Sequence, residues 1–363
     1  MKVFIMINKF FLITLLLIAF IFGVDLVPPA FAALPPGNAV KDPYAILRNA
    51  LPIEQKELRE IQHKLEGTSD LVRGSRWPAV NKAVSSSQFR LANSKKEILN
   101  SIPEKNQSEA EEIMQLLREN LEILGELSSG KSKSEFIALR RDSLQKIGDL
   151  EALMLNDVFP YTIPSEFNNL PRLLGRATVS IKTNKGDMKA IIDGYNAPLT
   201  AGAFMDLAIK GFYNGLPINR AEEFFVLQTG DPEGANIGYI DPETNEERYV
   251  PLEIRLPNQS ETIYKETFEE RGLYTATPTL PFATPGALGW SHSGNSVNDG
   301  SSQFFFFLYD AELNPAGRNL IDGNNAAFGY VVEGNELLGQ LDVGDKINSI
   351  DVIDGQERLK SKA

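Results

Sequence analysis

Two periodicities divide this chain. From Asp42 to about Phe159, apolar residues recur at helical spacing with almost no strand signal. Leu58, Ile61 and Leu65 fall on one face, as do Ile113, either Leu116 or Leu117, Leu121, Leu124 and Leu127. A further run uses Phe136, Leu144, Ile147, Leu150 and Met154. Each stripe needs a partner, so the pattern predicts a small antiparallel bundle of about four helices. Ser108 and Glu111 have capping-box spacing ahead of the second run. Gly130 separates two of the helices, and Trp77-Pro78 punctuates the earlier part. The leucine runs are short and lack sustained heptads with flanking charges, which favours packing within one chain over a zipper.

Pro160, Pro164 and Pro171 block helix continuation and mark a boundary. Beyond it the period becomes two. Ala177-Thr178-Val179-Ser180-Ile181-Lys182 alternates, Asn184-Lys185-Gly186 turns the chain, and Met188–Ile192 returns it as a hairpin. Ala197-Pro198-Leu199-Thr200 opens a helix, and the chain closes with strands over Phe328–Val332 and Ile347–Ile353 around a helix at Leu337–Leu341. One mostly antiparallel barrel capped by two helices consumes this pattern. The expected division is therefore a leader over 1–32, a linker over 33–41 and a helical bundle over 42–160. A second linker over 161–175, a barrel over 176–355 and a tail over 356–363 complete it.

The leader changes the cellular picture. Lys2 and Lys9 precede an apolar run over Phe10–Val24, and Ala30-Phe31-Ala32 has the small-x-small form that signal peptidase reads. The run is short for a membrane span, which needs roughly 20 residues. The mature protein is expected to be soluble and outside the cytoplasm. A net charge of −12 argues against nucleic acid as partner. With no cysteine and only two histidines, His63 and His292, disulfides, thiolate metal sites and multi-histidine zinc sites are excluded. No cofactor or metal is expected.

Four stretches in the second half carry a resemblance. Ala197-Pro198-Leu199-Thr200 with Phe204, Leu207 and Gly211-Phe212-Tyr213 is similar to the first helix and turn of cyclophilins. Arg220 through Phe225, with Gln228, Gly230 and Asp231, resembles their catalytic strand. Ser302-Gln303-Phe304-Phe305 matches their S-Q-F-F strand, and Asp322-Gly323 with Phe328-Gly329 matches the closing strand. Order and spacing agree over about half the chain. The resemblance implies a peptidyl-prolyl cis-trans isomerase with Arg220 as the catalytic guanidinium. It places Phe225, Val226 and Phe305 around the proline ring and gives Gln228 a substrate carbonyl. Leu320 and Asn325 stand at substrate-facing positions where many cyclophilins carry tryptophan and histidine, and Val226 replaces the usual methionine. These departures keep open an alternative: a catalytically weak proline-peptide-binding chaperone or assembly scaffold.

Leader, helical domain and divergent barrel together resemble multidomain cyclophilins of the thylakoid lumen, in cyanobacteria and chloroplasts. That resemblance implies prolyl-containing clients, photosystem II subunits among them, in a lumen or periplasm, with a bacterial source. The segment from Asp231 to Leu288 is long for a cyclophilin and rich in proline, so it is expected to cover the groove or recruit a partner. A contact between bundle and barrel, landing on this insert, is the corresponding expectation within the chain.

Overall fold

The computed structural model describes residues 40–155, 158–232, 234, 238–308 and 321–361. The expected leader and nearly all of the 33–41 linker lie outside the described residues. Helix α1 (Pro43–Asn49) starts at Asp42, whose carboxylate accepts the Tyr44 N–H. Four long helices follow: α2 (Lys56–Arg73), α3 (Trp77–Asn100), α4 (Gln107–Gly130) and α5 (Lys133–Leu153). Each packs on the next, and α5 returns to α2. The stripes read from sequence supply the core: Leu58, Ile61, Leu65, Leu117, Leu121, Leu124, Phe136, Ile147 and Leu150 are buried together. Trp77 meets Phe136 edge to face at 6.0 Å.

The Ser108 capping box does not form. A 3-10 turn over Glu104–Asn106 leads straight into α4, which therefore begins before Ser108, with no side-chain cap at Asn106. Helix α1 also departs from a simple bundle. Its Ile46 and Leu47, with Ala50, are buried against the outer face of the barrel rather than in the bundle core. Arg176 Nη2 donates to the Leu47 carbonyl at 2.6 Å, and Asn196 Nδ2 donates to the Ala50 carbonyl at 3.0 Å. Bundle and barrel touch through the segment that precedes the four long helices, and these two bonds land on Arg176 and Asn196, not on the insert where the contact was expected.

The barrel is one antiparallel sheet of eight strands: β1 (Arg176–Thr183), β2 (Gly186–Asp193), β3 (Arg220–Glu222), β4 (Val226–Thr229), β5 (Ala287–Trp290), β6 (Phe304–Phe307), β7 (Ala327–Glu333) and β8 (Ile347–Asp354). Their order is β8-β1-β2-β7-β5-β6-β4-β3. Backbone bonds from Ile218 to Asp345 and from Ile347 to Leu216 join the two ends and close the sheet. Helix α6 (Pro198–Ile209) plugs one end, with its residues largely buried. The buried Glu253 carboxylate accepts the Thr200 N–H at 2.6 Å, satisfying a free donor in the first turn. The second cap is a 3-10 helix, Asn335–Gln340, where a helix over 337–341 was expected.

The stretch 161–175, expected as a linker, is packed. Phe167, Leu170 and Leu173 enter the barrel core, and Arg172–Leu173 pairs with Leu359–Lys360 of the expected tail. Apolar spacing there is too irregular to register as an element, yet three of its side chains find buried positions.

Candidate functional site

Strand β6 reads Phe304-Phe305-Phe306-Phe307, and all four are buried. A strand sends alternate side chains to opposite faces. Phe304 and Phe306 accordingly join the interior core, whereas Phe305 and Phe307 join a second cluster on the outer face. The register carries that outer row across the sheet: Phe305 pairs with Gln228, Gln228 pairs with Arg220, and Gly289 pairs with Phe305 on the other side. Cross-strand partners share a face. Arg220, Gln228 and Phe305 therefore form one row on the outside of the barrel.

The polar end of the row is open. Arg220 is about half exposed, with Nε and Nη2 donating to Glu222 at 2.8 and 2.6 Å. Its Nη1 reaches Gln228 Oε1 at 3.4 Å, and its guanidinium carbon lies 6.0 Å from the centre of the Phe225 ring. Gln228 Nε2 donates to Gln303 Oε1 at 2.6 Å, and Gln303 Nε2 to Asp231 at 3.2 Å. This chain of bonds fixes amide and guanidinium orientation. The hairpin joining β3 to β4 turns at Phe224, whose φ of 60° is rare for a bulky side chain. Beside Gln228 and Gln303 lies a cavity of about 350 Å³ lined also by Glu247, Tyr249, His292 and Asp299.

The apolar end is closed. Val226 is 3 % exposed and Phe305 5 %, while Phe225 and Ile321 are half-buried against the same cluster. A Cβ on Gly289 would lie within 2.2–2.7 Å of the Phe305 ring, so only glycine lets that ring rest flat on the sheet. Phe282, from the long insert, stacks on Phe305 with centroids 5.6 Å apart and planes 21° apart.

Asn325 donates through Nδ2 to the Trp290 carbonyl at 3.0 Å and so serves as a strut between strands. Leu320 lies outside the described residues. Three residues beside the row were not named as site residues from the sequence: Phe282, Ile321 and His292. Ile321 joins the outer cluster, and its only signal was its position beside Asp322-Gly323. His292 bridges, with Nδ1 at 2.8 Å from the Ser293 carbonyl and Nε2 at 3.0 Å from the Asn324 carbonyl. Asp322 accepts the Phe282 N–H at 2.9 Å, and burial pushes its carboxyl up to about 6.

An antiparallel barrel with a guanidinium, an amide and an aromatic wall in one outer row defines a peptide-binding barrel suited to conformational rather than bond-breaking chemistry. The chain belongs to the cyclophilin-type peptidyl-prolyl cis-trans isomerase family, whose model matches residues 178–359. A second model, the PsbQ-like domain of CYP38-like peptidyl-prolyl cis-trans isomerases, matches residues 42–155. A putative thylakoid lumen peptidyl-prolyl cis-trans isomerase of Synechocystis sp. is 47% identical over 92% of this chain and 87% of its own length. The chloroplastic isomerase CYP38 of Arabidopsis thaliana is 37% identical over 91% of this chain and 78% of its own. Both similarities span bundle and barrel together.

Proposed function

We propose that the outer row of the barrel isomerises X–Pro bonds in exported client proteins, with Arg220 as the catalytic group. An X–Pro amide crosses a barrier of about 18–20 kcal/mol because twisting it destroys resonance. No bond breaks, so neither nucleophile nor metal is required; the groove has to bind the twisted amide better than either planar form. As conjugation is lost, a lone pair appears on the prolyl nitrogen, and a guanidinium placed there donates to it. Gln228 holds the carbonyl on the neighbouring residue, and Phe225, Val226, Phe305 and Ile321 form the apolar wall for the ring. The observation that carries this reading is the register row Arg220–Gln228–Phe305 on one face.

The proposed compartment is the thylakoid lumen, supported by the name of the Synechocystis relative, while that of the Arabidopsis relative says chloroplastic. Photosystem II subunits are the proposed clients, which the PsbQ-like character of the bundle favours. The test is a protease-coupled prolyl assay on the mature chain. Arg220→Ala is expected to lower kcat/KM by about 10²-fold, the range for one preorganised donor, with an unchanged circular dichroism spectrum. Undiminished turnover in the variant would remove Arg220 from the mechanism. A second reading, a binding scaffold with little turnover, is favoured by the Glu222 carboxylate on Arg220 and the near-complete cover over Phe305. Peptide binding without turnover in the wild type would select it.

A further inference from the structure

We propose that residues 280–284 of the insert form a latch that fills the apolar half of the groove with Phe282, so that prolyl peptides bind only to molecules whose latch has swung out. The proposal rests on the groove assignment above, but not on turnover. Phe282 is 1 % exposed and stacks on Phe305, whose own exposure is 5 %. It also meets Phe307 edge to face at 5.6 Å. A prolyl ring needs an open aromatic face, and the face of Phe305 is already taken by another ring.

The way this segment is held makes it a latch and not a wall. Its two ends are fixed by backbone bonds: Thr279 N–H to the Arg255 carbonyl at 2.8 Å, and Gly286 into the sheet through Phe307 and Val331. Between those anchors the chain has no regular secondary structure. Among the described residues, two side chains hydrogen-bond to backbone groups in the segment's middle. Asp322 accepts the Phe282 N–H, and the Tyr330 hydroxyl donates to the Pro281 carbonyl at 2.8 Å. Both tied groups belong to the backbone, and both gain water as partner when the segment leaves. The opposite, polar half of the groove needs no such movement, because Arg220 is half exposed and the cavity beside Gln228 is open.

When only a fraction of molecules is competent, apparent affinity falls by that fraction. Loosening the latch therefore tightens peptide binding. Tyr330→Phe removes one tie without emptying the core and is expected to strengthen binding of a fluorescent X–Pro tetrapeptide about fivefold, the size of one neutral hydrogen bond. Phe282→Ala is expected to strengthen it about tenfold or more. Hydrogen exchange of the Phe282 amide in the full chain supplies a readout independent of catalysis: saturating peptide is expected to accelerate it. If peptide binds while that amide stays protected and neither variant tightens binding, Phe282 is a fixed floor and the latch is refuted. Weaker binding in both variants would refute it equally. If the variants tighten binding but Arg220→Ala leaves turnover untouched, the latch stands and the catalytic assignment falls.

Discussion

If residues 280–284 swing out as proposed, the Asp322 carboxyl is expected to make peptide binding depend on pH, in a direction opposite to simple intuition. One expects an ionised carboxylate to hold the Phe282 N–H more firmly, so that acid would loosen the segment. Burial outweighs that bond: it raises the Asp322 carboxyl from 3.8 to about 6 while the segment is in place. Once the segment leaves and water reaches the carboxyl, its affinity for a proton drops toward the ordinary value. The closed form thus binds the proton more tightly, so acid favours closure and raising the pH through about 6 favours release. A full return to the ordinary value is worth about 3 kcal/mol, or roughly 10² in the opening equilibrium, and partial hydration gives proportionately less. Tyr330 is the titratable neighbour of this carboxyl, and burial holds its hydroxyl well above the ordinary value, so it stays protonated throughout. The assay is peptide affinity of the mature chain between pH 5 and 8. Affinity is expected to rise with pH around a midpoint near 6. Asp322→Asn keeps an acceptor for Phe282 and is expected to flatten the profile. Repeating the series in His292→Asn removes the imidazole that lines the same groove. A flat wild-type profile, or tighter binding in acid, would refute the reasoning.

Two further outcomes test the frame around the groove. Arg176→Ala leaves the fully buried Asp193 carboxylate without its cation and removes the bond to Leu47, so a loss of about 3–5 kcal/mol is expected in chemical denaturation. Gly289→Ala puts a methyl inside the van der Waals envelope of the Phe305 ring and is expected to cost about 1–3 kcal/mol, read as a lowered Tm.

Three of the four long helices were legible from their stripes, whereas Val80, Val84, Leu91 and Ile98 of α3 were not read and Leu116 of α4 stays exposed. The β1–β2 hairpin was legible from its alternation, since Ala177, Val179 and Ile181 face the core while their neighbours do not. Legibility failed where a contact is made without a pattern. Phe167, Leu170 and Leu173 sit in a proline-rich stretch and are buried by the barrel's shape, not by any periodicity of their own. Helix α1 is too short for its stripe to name a partner. Its Ile46 and Leu47 could equally have completed the bundle, and only the carbonyl bonds from Arg176 and Asn196 show which surface won.

The candidate site divides along the same line. Arg220 was readable because an unpaired arginine in an apolar strand run is hard to place as core; Gln228 was named by the resemblance, and the two pair on the outer face. The apolar members were readable as residues but not as a state. Four consecutive phenylalanines signal a strand buried on both faces, but not what covers the outer one. What covers the outer face comes from Phe282, more than twenty positions before Phe305 in the chain and inside an insert with no strand or helix pattern near it. A long, proline-rich insert signals that something lies over the barrel. The stacking of the two rings puts the insert on the wall proposed for a prolyl ring, and that contact is the ground for proposing that the same segment controls access to it.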